Sequence, residues 1–458
     1  MAVVNVSASG SQKLERHQTW MVISTYLLFI ASTFSIAGIN ASVILLYLMV
    51  FYHRSQHPLE HSLPRWLVGS FLLLPMAAIV SALVNWVSVP FAGGVVQLTP
   101  VSNLAKLREL FRIFLPLAMV PALVLVNRRT LLLTLLGFTV LVSFYGIIQF
   151  FWGVDWLRFE GEKISIPYYS KDKVFQGVYH AAGNFSHHLT FSGVMLMLML
   201  LFFSLALEPQ KSQRWIWAAG SLMAAISVVV AMGRSGWLGM SAGLLLVLLR
   251  FPRRLSIPLT ALVVSIGLIA LIFSTGWLND HIDPSTKPPL VQRFLSVSPM
   301  ENQERLHLWE SALMGVRERP WFGVGEGNSL FFAPAYRYTI AKQRNFTFEV
   351  DIATHMHNVY LQVIFELGIF GLSAYLLWLG AVLYWIRLSL LLAKDPHSFE
   401  SRLLYGSAGG LGGIMIAAFF ENNFFDSEVQ TLMLILIGLA LHAGLEIRKT
   451  LARDTPAG

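Results

Sequence analysis

About twelve apolar runs, each long enough to cross a bilayer, constrain this chain more than any motif in it. They lie at roughly 20–36, 37–52, 64–87, 104–126, 129–152, 186–208, 214–232, 236–251, 256–276, 358–387, 402–420 and 427–447. A helix rises about 1.5 Å per residue, so about 20 apolar residues match a hydrocarbon core of about 30 Å. Hydrophobic residues make up 55% of the chain and charged residues 13%, with a mean hydropathy of +0.61. The expected fold class is an all-α polytopic membrane protein with about 12 transmembrane helices and a long, partly helical loop before the tenth span.

The cations sort by side. A net charge of +8 and a pI near 9.6 would suggest nucleic acid in a soluble protein. Here the cations fall in alternate short connections: Lys13/Arg16, Arg54/Arg65, Arg128/Arg129, Lys211/Arg214, Arg250/Arg253/Arg254, Arg387/Lys394/Arg402 and Arg448/Lys449/Arg453. That is the positive-inside pattern, and no nucleic-acid partner is expected. The same parity requires residues 20–52 to form a tight hairpin, interrupted at Gly38-Ile39-Asn40. No A-x-A-like cleavage site follows the first span, so it is expected to remain in the protein. Cysteine is absent, which removes disulfides, thiol nucleophiles and thiolate metal sites from consideration.

Three segments follow from this layout: spans one to nine over 1–276 with a smaller outer loop near 153–185, a large outer loop over 277–357, and the last three spans with a basic tail over 358–458. In the large loop a helix is expected over Glu301–Arg319, with Leu306, Trp309 and Leu313 on its apolar side and Glu301 and Glu304 as ion partners for Arg305. Pro320-Trp321-Phe322-Gly323-Val324-Gly325-Glu326-Gly327 should end that helix in a turn-rich segment.

Chemistry concentrates where the loop meets the tenth span, at His355-Met356-His357-Asn358. At about 100° per residue, His357, Gly368 and Gly371 fall near one side of a helix, with the glycines thinning that face for a close neighbour. Asn358 is a natural N-cap, and an interfacial His commonly does no more than cap or bond a carbonyl. The positive end of the following helix and nearby arginines should keep His357 neutral and able to accept a proton, which suits a general base. His355 and His357, two apart, are expected to point in different directions, so no metal site is expected. No phosphate loop of the Gly-x-x-x-x-Gly-Lys type occurs.

Several outer cations carry two readings each. Arg234 has only a short turn between spans; it either snorkels to the interface or captures an anion, with Gly233 and Gly236 permitting close approach. Arg305 reads as a surface or ion-paired arginine. Lys106, Arg108 and Arg112 read first as a collar against lipid headgroups and second as a further anion contact. Glu421-Asn422-Asn423, near an outer helix end, is the main polar exception in the last spans.

His357-Asn358, nine residues, Gly368-Ile369-Phe370-Gly371, taken with Gly233-Arg234-Ser235-Gly236 and with Arg305-Leu306-His307-Leu308-Trp309 leading to Pro320-x-x-Gly323-x-Gly325, resembles the O-antigen ligase family of bacterial inner membranes. The resemblance is most specific from about 230 to 371. It implies a multi-pass inner-membrane enzyme with its site on the periplasmic face, moving a glycan from undecaprenyl pyrophosphate to a sugar of lipid A-core. It makes His357 the essential histidine and Arg234 and Arg305 the pyrophosphate ligands, and says less of His355, Asn358, Arg108 and Arg112, which are carried as substrate-binding candidates. No cofactor is implied: fixed arginines can neutralise the leaving pyrophosphate without a metal. The expected reaction is a single inverting displacement with His357 as base. An O-antigen polymerase or a protein O-oligosaccharyltransferase would use the same donor. A transporter without chemistry would show more intramembrane charge and paired broken helices.

Overall fold

The structure, a computed structural model, describes residues 15–56, 63–85, 89–91, 94–96, 110–153, 155–157, 180–207, 213–248, 299–346 and 355–454. The run at 256–276, the cations Lys13, Lys106, Arg108, Lys211 and Arg250/Arg253/Arg254, and Glu349 and Asp351 lie outside them. The helices are α1 (Arg16–Ala31), α2 (Ile36–Gln56), α3 (Arg65–Val84), α4 (Leu115–Leu125, entered by a 3-10 turn at Phe111–Phe114), α5 (Arg128–Trp152), α6 (His188–Ala206), α7 (Arg214–Val230), α8 (Arg234–Leu248), α9 (Pro299–Glu318), α10 (Ser329–Arg344), α11 (Val359–Leu392), α12 (Phe399–Ala417) and α13 (Ser427–Asp454). The helical frame carries one small exception, an antiparallel hairpin of β1 (Val89–Phe91) and β2 (Gly94–Val96).

Six of these helices (α2, α3, α5, α6, α11 and α13) are long and apolar enough to cross a membrane, and Phe111–Leu125, Arg214–Val230 and Arg234–Leu248 are shorter apolar helices. The chain is therefore a multi-pass helical membrane protein, with fewer full-length spans among the described residues than the twelve apolar runs suggest. Arg65, Arg128 and Arg214 begin α3, α5 and α7, while Arg448 and Lys449 lie near the end of α13. The opposite ends of α3, α7 and α13 converge on the polar face described below.

Residues 20–52 do form a hairpin, but its break lies at 32–35 instead of Gly38-Ile39-Asn40. Ser32 and Thr33 turn their hydroxyls back onto the carbonyls of Phe29 and Ile30, and the Asn184 amide donates to the carbonyls of Thr33 and Phe34 at 3.0 Å each. These side chains satisfy the backbone that two meeting helix ends leave open. Gly38 sits inside α2, where an added Cβ would lie 3.1 Å from the Ala31 Cβ, so its role is to let α1 and α2 approach.

Glycine also sets the packing of the inner helices. A Cβ at Gly239 would lie 2.5 Å from the Gly413 carbonyl oxygen, and one at Gly243 2.6 Å from that of Gly409, so α8 and α12 meet backbone to backbone. Where lipid removes the hydrophobic drive between helices, such close approach supplies the contact energy.

The pivotal feature is a break in α11. Gly368 takes φ 66° and ψ −167°, a conformation essentially reserved for glycine. In an unbroken helix the N–H groups of residues 369 and 370 would donate to the carbonyls of 365 and 366. Here the Pro320–Gly325 segment crosses the break and replaces both bonds from each side. The carbonyls of Pro320 and Trp321 accept from Ile369 N (2.8 Å) and Phe370 N (3.3 Å), while Val324 N and Gly325 N donate to the carbonyls of Phe365 (3.0 Å) and Glu366 (2.8 Å). Gly323, at φ 63°, lies against the Glu366 backbone, where a Cβ would come within 2.4 Å. The end of α3 joins the same knot: the Ser81 hydroxyl bonds the Phe322 carbonyl at 2.5 Å, and Asn85 donates to the Gly323 carbonyl and accepts from Arg319.

The expected placement of His357 on one helical face with Gly368 and Gly371 is thus corrected: His357 precedes the N-cap, and the helix is interrupted between them. The close neighbour of Gly368 is real, because a Cβ there would meet the Trp321 backbone at 2.3 Å. Gly368→Ala should therefore lower the thermal midpoint of the detergent-solubilised protein, with backbone strain alone costing on the order of 1–3 kcal/mol. Gly380→Ala, on the same helix with nothing within 4 Å of the added Cβ, should leave it unchanged.

Candidate active site

The α9 helix carries the first site residue inward. Its buried stripe is Leu308 (4% exposed) and Ala312 (0%), whereas Leu306 (59%) and Leu313 (46%) face away from the protein. Of the expected apolar side, Leu306 and Leu313 therefore face outward, whereas Trp309 turns inward. Arg305, three and seven positions before those buried residues, shares the inward face. Trp309 donates its indole N–H to the Met356 carbonyl at 3.1 Å, docking α9 on the segment that leads into α11.

That segment is clamped on both sides of His357. Met356 N donates to the Gln362 side chain at 3.0 Å, and Gln362 donates in turn to the Ser329 hydroxyl at the start of α10. Asn358 caps α11 by accepting from Leu361 N at 3.0 Å, as its position suggested, and Val359 N bonds the Ala418 carbonyl. His357 is left at φ 48°, one of three non-glycine residues in the left-handed region among those described, with Met232 (φ 61°) and Asn345 (φ 49°). Asn345 merely ends α10. The other two lie at His357 itself and two residues before Arg234. Strain of this kind persists only where its surroundings over-determine it.

The residue that gathers the site is Glu421, in the turn between α12 and α13 and 3% exposed. Its Oε2 lies 3.4 Å from His357 Nδ1, and its Oε1 accepts from Arg305 Nη2 at 3.2 Å and from the Ser235 hydroxyl at 3.4 Å. Arg305 Nη1 also donates to the Phe420 carbonyl at 3.2 Å. The cross-chain pair with Glu421 was not legible from the local spacing, which pointed to Glu301 and Glu304. Burial pushes the Glu421 carboxyl up, but the hydrogen bond from His357 and the charges of Arg305, His357 and His187 outweigh it and leave the group below its ordinary range.

Arg234 begins α8, next to Ser235. Its flanking glycines serve helix packing: a Cβ at Gly236 would fall 2.1 Å from the Ser192 hydroxyl, and one at Gly233 3.0 Å from Leu189. Arg112 lies at the α4 entry, donating to Ser427 Oγ at 2.8 Å and to Asn40 at 2.7 Å, so it ties α2 to the start of α13. Arg108 lies outside the described residues.

Histidines line the remainder. The rings of His355 and His357 meet edge to face with centroids 4.4 Å apart, against the expectation that they diverge, because residues 355–358 are neither helix nor strand. His187 and His188 are 4.4 Å apart and His180 and His188 4.0 Å, and both His180 Nδ1 and His188 Nδ1 bond the Ala231 carbonyl. None of these three was singled out from sequence, where each looks like an ordinary interfacial histidine. Among the described residues no group of three or more His, Asp or Glu side chains is arranged to hold a metal ion. Near Ser186 and Glu428 a groove of about 410 Å³ opens, lined also by Phe34, Ser35 and Asn184.

Two titrating groups have opposite signs. Burial, reinforced by the charges of His357 and His187 and opposed by Glu421, brings His355 down to about 4. Burial raises Asp426 to about 6, with Thr190 donating to it at 2.8 Å as a counterweight. His355 stays neutral in the folded protein while the unfolded chain takes up a proton below its ordinary value of 6.5, so stability is lost as pH falls from 6.5 toward 4. His355→Gln should flatten the decline of the thermal midpoint across that window relative to wild type. Asp426 acts in the opposite sense in both proteins and cancels in the comparison.

A multi-pass helical protein in which an arginine on α9 and a strained histidine just before α11 meet one buried carboxylate is the class this fold and site define. Residues 219–376, which include Arg234, Arg305, His357, Gly368 and Gly371, match the sequence pattern of a family described as O-antigen ligase. The match makes this segment, about a third of the chain, similar to the O-antigen ligase family, and it supports an activity of the O-antigen ligase and polymerase superfamily. No curated protein matches the chain.

Proposed function

We propose that the protein is an O-antigen ligase: a metal-independent inverting glycosyltransferase that moves a glycan from undecaprenyl pyrophosphate to a sugar hydroxyl of lipid A-core, on the periplasmic face of a bacterial inner membrane. The observation that carries this reading is the meeting of His357, Arg305 and the Arg234-Ser235 helix start, all inside the segment that matches the family, around Glu421, which lies beyond it.

The chemistry needs a base and an anion sink. His357 removes the proton of the acceptor hydroxyl as its oxygen attacks the anomeric carbon; the bond to the pyrophosphate oxygen breaks, and polyprenyl pyrophosphate departs with the electron pair. Arg305 and Arg234 stabilise the charge that grows on that leaving group, with permanently charged forks suited to phosphate oxygens. His355 and Asn358 line the base, although Asn358 spends its side-chain oxygen on the helix cap. Arg112 stands one step away, at the start of α13.

The test is transfer by purified protein with a polyprenyl-pyrophosphate glycan, lipid A-core and EDTA. Wild type should ligate without metal or nucleotide, and His357→Ala should lose about 10²- to 10⁴-fold in rate while still binding donor. Extension of the lipid-linked glycan in place of transfer to lipid A-core would reassign the acceptor and favour a polymerase. Full activity in His357→Ala would remove the base from the mechanism.

A further inference from the structure

Glu421 is nearly inaccessible, lies about 64 positions from His357 and more than 110 from Arg305, and touches both. An ionised carboxylate only accepts hydrogen bonds, and the Glu421 carboxyl is held below its ordinary range, so the proton between Oε2 and the imidazole belongs on His357 Nδ1. A neutral imidazole then carries its lone pair on Nε2. The carboxylate thereby decides which nitrogen can act as base.

The same group sets the arginine. Glu421 Oε1 and the Phe420 carbonyl, neighbours in one turn, each take a donor from the Arg305 guanidinium, fixing its plane. Ser235 donates to Oε1 as well, which brings the start of α8, and with it Arg234, into register with that turn. Val359 N bonds the Ala418 carbonyl, so the backbone entering α11 is tied to the turn that carries Glu421.

We propose that Glu421 is the positioning residue of the transfer site: it holds His357 as the Nδ1–H tautomer with Nε2 toward the acceptor hydroxyl, and it registers that base against Arg305. The proposal rests on the ligase reading above and deepens it. In the transfer step His357 Nε2 takes the acceptor proton and becomes imidazolium, the new glycosidic C–O bond forms, and the bond to the pyrophosphate oxygen breaks with its electrons on the leaving group. Glu421 keeps its own proton inventory unchanged and stabilises the imidazolium through the Nδ1–H bond. The imidazolium then returns its proton to solvent or to the departing pyrophosphate.

The experiment compares wild type with Glu421→Gln and Glu421→Asp as full-length protein in detergent, measuring kcat and donor dissociation constant separately and reading the imidazole nitrogens by ¹⁵N NMR in histidine-labelled protein. The His357 signal is assigned as the one lost in His357→Asn. Wild type should show His357 protonated at Nδ1. In serine proteases, replacing the carboxylate that orients a catalytic histidine by its amide lowers kcat about 10⁴-fold. Glu421→Gln should accordingly lower kcat at least about 10²-fold, abolish the fixed Nδ1–H signature, and leave donor binding as tight or tighter, since a negative charge beside the arginines is gone. Glu421→Asp should recover more activity than Glu421→Gln. Unchanged kcat with an unchanged tautomer in Glu421→Gln would overturn the proposal while leaving the base role of His357 standing. A parallel loss of donor binding and thermal stability would also overturn it, assigning Glu421 to the scaffold alone. If His357→Ala keeps full activity, it is the ligase mechanism that fails, independently of Glu421.

Discussion

The exchange of backbone hydrogen bonds at Gly368 is the interaction on which the remainder of this structure depends. A break in a membrane helix exposes carbonyl and N–H groups in a medium that offers no water, and it persists only where another part of the protein satisfies them. Pro320–Gly325 supplies two donors and two acceptors to the groups that the helix loses. The trade fixes the chain between α9 and α10 to the upper half of α11 and to the end of α3. It is a precise exchange in position as well as number, so α9 can hardly slide along the bundle. Arg305, on the inward face of α9, and His357, at the mouth of α11, are therefore held against the α12–α13 turn by one backbone arrangement.

Electrostatics then converge on a single carboxylate. Glu421 is buried against the His357 imidazole and the Arg305 guanidinium, and its charge survives because the partners around it outweigh the desolvation that would protonate it. Asp426, five residues further on, is pushed the other way by burial, with the charges of Glu428 and Glu421 adding to it. The contrast separates the two acids by environment: one accepts from a guanidinium, an imidazole and a hydroxyl, the other from the Thr190 hydroxyl alone among the described residues. Strained backbone at Met232 and His357 lies on the two chain segments that meet around Glu421, where neighbouring hydrogen bonds hold it in place.

Much of this was legible in sequence, and the limits have physical causes. Apolar run length points to the helical membrane class, and Pro320 with the glycines of 323–327 marks the end of α9, because both signals are local. The hairpin between α1 and α2 followed from charge parity, but its break was set by Ser32, Thr33 and the distant Asn184, which no local rule reports. The glycine at 368 was visible as an approach point, yet the loss of helix there depends on the segment crossing it. Local spacing pairs Arg305 with neighbours four residues away or fewer, whereas its partner Glu421 comes from the turn between α12 and α13. The histidines at 180, 187 and 188 carry no motif, and only the fold brings them into one stack.

The central claim is that pyrophosphate and base occupy one preformed site, and the most direct test is a structure of the protein with a non-transferable phosphonate analogue of the polyprenyl-pyrophosphate donor. The account predicts pyrophosphate oxygens on the guanidinium groups of Arg234 and Arg305, with His357 still bonded through Nδ1 to Glu421 and its Nε2 facing the anomeric carbon. A donor bound with its pyrophosphate away from both arginines, or with His357 turned from Glu421, would contradict it.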